Sequence, residues 1–324
     1  MSNVLVISGH PNLNESYTNT VILESLQQGL DSVEVRRLDS LYPDYQIDVA
    51  AEQQALLKAD VVVLQFPFYW YSMPALLKKY LDDVFSYNFA YGSKGDKLKG
   101  KDFILSFTIG GPEESYDPLG YNHFTVELFM YPLQQTAYLA GMVYHKPVYS
   151  HRMVYIPGVY NTQEDVESRA RDHAAALMTQ ITTITGSADN QIQKFVANWF
   201  AEFDKLPEEN AFFTEFLADD VNITMPEGTF IGHEGFRDWY AIARATFKPG
   251  CDHQVEQVEV KPQGDTQANL YQVELRIRLQ AESFEDSALK GESVNLLVNE
   301  TWSVSLDEGK VTIHDYLVEP VNND

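Results

Sequence analysis

The chain has one cysteine, Cys251, in 324 residues, so it can form neither an intrachain disulfide nor a cysteine-built metal cage. No other metal-ligand spacing stands out, and no metal is expected. Basic residues are scarce beside acidic ones: 23 Lys and Arg against 47 Asp and Glu, a formal charge of −24. Such a surface repels nucleic-acid phosphates and anionic lipid headgroups, so no nucleic acid is expected as a partner. No apolar run approaches the roughly 20 residues that span a bilayer, so no membrane insertion is expected. The opening stretch, MSNVLVISGH, lacks the charged region and cleavage site of a signal peptide. It reads as a first strand, and a cytoplasmic location is the expectation.

Apolar residues make up 44% of the chain, enough for real cores, and the length suits about two domains. Through Gly186 there are 13 basic and 21 acidic residues; the remaining 138 residues hold 10 and 26. The acidic excess per residue more than doubles there, which predicts one domain over 1–186 and a second over 187–324.

Residues 65–84, QFPFYWYSMPALLKKYLDDV, organise the first domain. Val61 to Phe66 is a short apolar run suited to a strand buried on both faces. It leads into Pro67-Phe68-Tyr69-Trp70-Tyr71, and Pro74 then opens a helix striped with Leu76, Leu77, Tyr80, Leu81 and Val84. In an open parallel sheet such a loop lies at the carboxyl end of a strand, where ligands bind. Four consecutive aromatic residues there are shaped for a flat ring, although an aromatic plug beneath the loop is the plainer alternative.

Two further loops follow strands in the same way. Val4 to Ser8 ends at Gly9-His10-Pro11, and a helix beginning at Ser16 carries Thr18 and Asn19 in its first turn. A strand-to-helix turn of this kind favours an anion, and the hydroxyls suit a single phosphate. The G-x-G-x-x-G fingerprint of a dinucleotide domain is absent there. Phe103 to Thr108 ends at Ile109-Gly110-Gly111, where glycines let a backbone approach a ligand. Glu114, Ser115, Tyr116, Asn122 and His123 come next. Further strands are expected at Val33 to Leu38 and near Met142 to Tyr149, and helices at Ala51 to Ala59, Phe124 to Ala140 and after Thr162. Five strands alternating with helices predict a doubly wound parallel five-stranded α/β sheet, with the three loops converging on one edge.

The segments GHPNLNESYTN, QFPFYWYSMPALLKKYLDDVF and TIGGPEESYDPLGYNHF resemble the three flavin-binding segments of the NAD(P)H:quinone oxidoreductase family. That family has a flavodoxin-like fold and includes flavoproteins ancillary to bacterial potassium-efflux systems; the resemblance covers roughly residues 3 to 185. It implies that His10, Ser16, Thr18 and Asn19 hold a flavin phosphate and ribityl tail, and that Pro67, Phe68, Tyr69, Trp70 and Tyr71 line the isoalloxazine edge. Thr108, Gly110 and Gly111 then lie against its pyrimidine end. Tyr116 matches the family's tyrosine beside flavin and acceptor. The family's partner histidine falls on Asn122, with His123 one place later, so either the loop shifts by one residue or Asn122 supplies only a hydrogen bond. The implied cofactor is FMN, with FAD possible, and NAD(P)H is the implied co-substrate. A quinone-like acceptor and a homodimer are implied likewise. Because nicotinamide and acceptor share one flavin face, a ping-pong order is expected.

The second domain reads as helices followed by strands. Gly186-Ser187-Ala188-Asp189 is a candidate linker. The next helix is striped with Ile192, Phe195, Val196, Trp199, Phe200 and Phe203. Strands are expected from Val221 to Met225, Asp252 to Lys261, Ala268 to Gln280, Ser293 to Ser305 and Lys310 to Val318. This smaller α+β domain resembles the cone-shaped nuclear-transport-factor-2-like superfamily, which includes ketosteroid-isomerase-like domains. Glu300, Asp315 and His253 each share a strand face with apolar residues; a carboxylate so placed has a raised pKa and can act as a base, whereas a bulge would turn it to water. The leading expectation is a flavin-dependent NAD(P)H oxidoreductase. The alternatives are a flavin-binding regulator whose second domain takes a ligand or partner, and a bifunctional protein with an isomerase- or cyclase-like cone.

Overall fold

The computed structural model describes residues 2–263 and 269–321. The chain divides into two compact units, Met1–Thr183 and Ile184–Asp324.

The first unit alternates strands and helices: β1 Val4–Ser8, α1 Asn19–Gly29, β2 Val33–Arg37, α2 Leu38–Leu41, α3 Val49–Lys58, β3 Val61–Pro67, α4 Ala75–Val84, β4 Asp102–Thr108, α5 Val126–Leu139, β5 Val143–Tyr144, β6 Val148–Ser150 and α6 Gln163–Gly186. The strands pair in parallel in the order β2-β1-β3-β4, with β5 and β6 both on the far edge of β4. Every residue of β1, β3 and β4 is buried, as expected of strands covered on both faces. The fifth strand, expected as one piece, is two. Between the pairs Phe103↔Tyr144 and Ser106↔Val148, three edge residues oppose two on β4. The extra length falls at His145-Lys146-Pro147, and Pro147 has no N–H to give the ladder.

The stripe expected on α4 is buried throughout. Its Leu77 packs so closely on the loop after β1 that a Cβ at Gly9 would lie 2.7 Å from the Leu77 side chain. α6 opens with a capping box: the backbone N–H of Asp165 donates to Thr162 Oγ1, and that of Thr162 to the Asp165 carboxylate. In the lysine-rich loop 94–101, Lys101 Nζ donates to the carbonyls of Leu57 and Ala59 and so closes the end of α3.

The second unit contains α7 Ala188–Phe203, α8 Ala211–Glu215, β7 Leu217–Met225, β8 Gly228–Ile231, α9 Gly232–Thr246, β9 Asp252–Pro262, β10 Leu270–Glu282, β11 Ser293–Asp307 and β12 Lys310–Pro320. Ala268, expected to open β10, lies outside the described residues. The candidate linker is reduced to Ser187, which sits between α6 and α7 and accepts from the backbone N–H of Asn190. The sheet order is β8-β7-β12-β11-β10-β9. It is a mixed sheet: β12 and β7 run parallel and the other neighbours antiparallel. The apolar stripe of α7 is wholly buried, with Trp199 packed on Phe213, Trp302 and Tyr316.

Bulges decide which polar candidates enter this core. In β12 the register skips His314, so Ile313 and Tyr316 both point inward and Asp315 is exposed. The expectation of a buried Asp315 is therefore corrected. Glu300 lies on an unbroken stretch of β11 and is 5% exposed, its Oε2 accepting from Trp302 Nε1 at 2.9 Å. Burial pushes its carboxyl up to about 8, against hydrogen bonds from Tyr316 and Trp302 that pull it down. His253 stacks on Phe200, and its Nδ1 is 2.6 Å from Asp204 Oδ1.

The raised Glu300 carboxyl gives a signed expectation. Its pKa in the folded chain lies above the ordinary 4.5, so the stability it contributes is full in acid and is lost as pH rises from 4.5 through about 8. Denaturant midpoints of the second unit should fall across that window. Glu300→Gln, which keeps an acceptor for Trp302 without a proton to lose, should flatten the fall; an unchanged slope in the variant would refute the assignment.

Candidate functional site

The three loops after β1, β3 and β4 all lie at the carboxyl ends of adjacent parallel strands. In the first, α1 begins at Asn19, three residues later than expected from the position of Ser16. Ser16 Oγ accepts from the Asn19 backbone N–H at 3.0 Å and from Asn19 Nδ2 at 3.2 Å. Asn19 Nδ2 also meets Thr18 Oγ1 and Thr108 Oγ1, and Asn19 Oδ1 accepts from Gln65 Nε2 at 2.9 Å. The Asn19 amide is thus spent in the interior; its expected place among ligand-facing groups is corrected to that of a tie between α1, β3 and β4. His10 is largely buried, and its Nδ1 accepts from the Asn12 N–H at 3.1 Å. A neutral ring in this arrangement carries its proton on Nε2, a donor, and burial pushes its pKa down.

The four aromatic residues of the second loop are not equivalent. Phe68 is the plug: it is buried, its N–H donates to the Thr108 carbonyl at 2.8 Å, and its ring meets Phe107, Tyr116 and Phe129. Tyr69 to Ser72 then closes a turn through Ser72 N–H to the Tyr69 carbonyl at 3.0 Å. Its two central residues, Trp70 and Tyr71, have φ of +49° and +64°. Two successive left-handed residues define a type I′ turn, which normally takes Asn-Gly. Bulky side chains there cost roughly 1–2 kcal/mol each. Tyr71 recovers part of this by stacking on Phe129 at 5.2 Å and donating to Asn122 Oδ1 at 3.1 Å. Trp70 recovers none, being 93% exposed. An exposed tryptophan held in strained backbone beside two other ligand-shaped loops is a candidate functional position.

In the third loop, Gly110 is required by the chain itself, since a Cβ there would fall 2.9 Å from Val154 Cγ2. At Gly111 a Cβ would be in ordinary contact with the Tyr116 ring, 3.5 Å away. Asn122 reaches the aromatic loop through Tyr71. His123 is exposed at φ +63°. The histidine that packs on Tyr116 is His151, with ring centroids 5.4 Å apart. Local spacing gave no sign of it, because it lies 35 positions beyond Tyr116, just after β6. The segment is laced onto the glycine loop by Arg152 N–H to the Gly111 carbonyl and Met153 N–H to the Ile109 carbonyl. His151 Nδ1 lies 3.3 Å from the Gly111 carbonyl, which can only accept, so Nδ1 carries the proton and Nε2 is open. Burial lowers the His151 pKa and raises that of Tyr116, so near neutrality the ring is uncharged and the phenol keeps its proton.

Among the described residues no cluster of three or more His, Cys, Asp or Glu is placed to hold a metal, and no helix is long and apolar enough to cross a membrane.

A parallel sheet with three ligand-shaped loops at its carboxyl edge defines a doubly wound α/β protein of the flavodoxin type. Residues 2–178 match the Flavodoxin_2 family, described as having a flavodoxin-like fold, and the chain belongs to that family. Over 148 residues it is 44% identical to a glutathione-regulated potassium-efflux system ancillary protein of Enterobacter sp. strain 638, covering 46% of this chain and 82% of that one. It is 45% identical over 140 residues to an uncharacterised NAD(P)H oxidoreductase of Bacillus subtilis strain 168, covering 43% and 71%. The structure of general stress protein 14 from Treponema denticola, solved in complex with FMN, aligns with a TM-score of 0.50 at 35% identity, covering 55% of this chain and 98% of that one. The relatives of the first unit thus include a protein named an NAD(P)H oxidoreductase and one solved with FMN.

Replacing Trp70 by Asn, which tolerates left-handed backbone, should raise the stability of the ligand-free protein by roughly 0.5–1 kcal/mol. Chemical denaturation measures it. A loss of stability would mean that the exposed indole makes contacts that the geometry denies it.

Proposed function

We propose that residues 1–186 form a flavin-dependent NAD(P)H oxidoreductase that holds FMN at the carboxyl edge of the parallel sheet and passes reducing equivalents to a quinone or similar electrophile. The strained Trp70-Tyr71 turn carries this reading, since the cost at the exposed Trp70 is offset only by something that lies against it. The groups present fit FMN. The hydroxyls of Ser16 and Thr18 and the Nε2–H of His10 are donors suited to a phosphate at the start of α1. The nearby Asp39 carboxylate is already held by the Leu13 N–H and Arg37. Tyr69 and Trp70, seated on the buried Phe68, offer an edge for a flat ring, with Gly111 and Tyr116 in the neighbouring loop. The relative from Treponema denticola was solved with FMN, and the relative from Bacillus subtilis is named an NAD(P)H oxidoreductase.

Bound there, FMN would supply two-electron carriage between a reduced nicotinamide and an acceptor. The chain's own part is placement and proton handling. Tyr116, protonated because burial raises its pKa, donates a hydrogen bond to an acceptor oxygen. His151, neutral with Nε2 open, stands beside it as a proton acceptor. Asn122, rather than the exposed His123, steadies the aromatic loop through Tyr71. A single open face leads to a ping-pong order. The first unit exposes Leu128, Tyr131 and Tyr138 along α5, which suits a homodimer, and the cytoplasm is the compartment we assign. The second unit we read as nuclear-transport-factor-2-like, over 187–324, with ligand binding or assembly as its role.

A visible spectrum tests the reading. Protein reconstituted with FMN should show a bound-flavin band that bleaches anaerobically with NADH or NADPH and returns with a quinone. Tyr116→Phe should slow the return by roughly tenfold or more while flavin affinity holds. Failure to bind FMN or FAD would overturn the proposal, and binding without reduction would favour a regulatory flavin.

A further inference from the structure

We propose that His173, buried on α6, is a positioning residue that sets the donor direction of a buried hydrogen-bond chain and so aims the hydroxyls of Ser16 and Thr18 at a phosphate bound after β1. The inference rests on the FMN reading of that loop.

The chain is continuous across the sheet. Ser150 Oγ lies 2.9 Å from His173 Nδ1, and His173 Nε2 lies 2.8 Å from Ser106 Oγ. Ser106 Oγ lies 2.5 Å from Gln65 Oε1, Gln65 Nε2 lies 2.9 Å from Asn19 Oδ1, and Asn19 Nδ2 reaches Ser16, Thr18 and Thr108. All of these but Ser16 and Ser150 are buried. Away from water each link must be made, so the hydrogens are not free to arrange themselves independently.

Proton counting leaves two self-consistent polarities. In the first, the Ser106 hydroxyl donates to Gln65 Oε1 and can only accept from His173, whose proton then sits on Nε2. Gln65 donates to Asn19, and of the two hydrogens on Asn19 Nδ2 one goes to Thr108 Oγ1 at 3.1 Å and one is shared between Ser16 Oγ at 3.2 Å and Thr18 Oγ1 at 3.4 Å, so those hydroxyls keep their own hydrogens for an outside acceptor. In the second, His173 is protonated on Nδ1, both amides are reversed, and hydroxyls turn inward to donate to the Asn19 oxygen, whose two lone pairs serve two of the three. The pairing of Ser106 Oγ with Gln65 Oε1 and of Gln65 Nε2 with Asn19 Oδ1 is that of the first polarity. It presents donors, which an anion needs. Burial holds the His173 pKa down at about 4, so above that pH the ring is neutral and not a charged donor on both sides.

The test compares FMN with riboflavin, which lacks only the phosphate, on the full-length protein. Ser106→Ala cuts the chain with His173 intact, and His173→Leu removes its origin. Each should weaken FMN by about tenfold, the worth of one oriented hydrogen bond to a charged group, while riboflavin affinity stays within about twofold. His173→Gln, which restores a nitrogen donor toward Ser106, should recover FMN affinity, and thermal melts check that each variant is folded. Nitrogen-15 NMR of the ligand-free protein should show the His173 proton on Nε2. An unchanged FMN-to-riboflavin ratio in Ser106→Ala, equal losses for both flavins, or a proton on Nδ1 would overturn the proposal. If the wild-type protein binds neither flavin, the functional reading fails, and the tautomer still decides the chain's polarity.

Discussion

The first unit depends on satisfying Gln65. This residue lies in the middle of a parallel sheet, on a strand buried along both faces, and its amide has no access to water. An unpaired amide in such a place costs several kcal/mol, so its partners have to arrive from other elements. Asn19 comes from α1, Ser106 from β4, and His173 from α6 by way of Ser106. One buried polar requirement therefore fixes α1 and α6, which are remote in sequence, against the ends of β3 and β4.

That anchoring is what lets the loops beyond carry strain. The type I′ turn at Trp70-Tyr71 works against the preferences of its residues, but both ends are clamped: Phe68 is bonded to β4, and Tyr71 is stacked on α5. The glycine loop is clamped likewise by the segment after β6. Flat aromatic surface, a phenol and hydroxyls end up on one edge because the strands that deliver them are parallel neighbours. The site belongs to the topology more than to any one motif.

The second unit solves a different problem. Its core is aromatic, with α7 and α8 supplying Trp199, Phe203 and Phe213 against Trp302 and Tyr316. Large rings fill volume efficiently but bring polar atoms with them, and Glu300 is the acceptor beside the Trp302 indole. A carboxyl kept mainly protonated near neutrality is the consequence of that burial. Whether other acidic residues join it is decided by single-residue bulges in β9 and β12.

The sequence by itself determined the order of elements, the both-face burial of β1, β3 and β4, the stripes of α4 and α7, and the aromatic and glycine loops at strand ends. All of these are written in local periodicity, where burial repeats every second or every three to four residues. Only the tertiary structure decided the rest. It withdrew Asn19 into the interior, turned Asp315 to water, split the fifth strand at Pro147, and set His151 rather than His123 against Tyr116. Each of these turns on a contact between distant elements or on a one-residue register shift, and local spacing does not encode either.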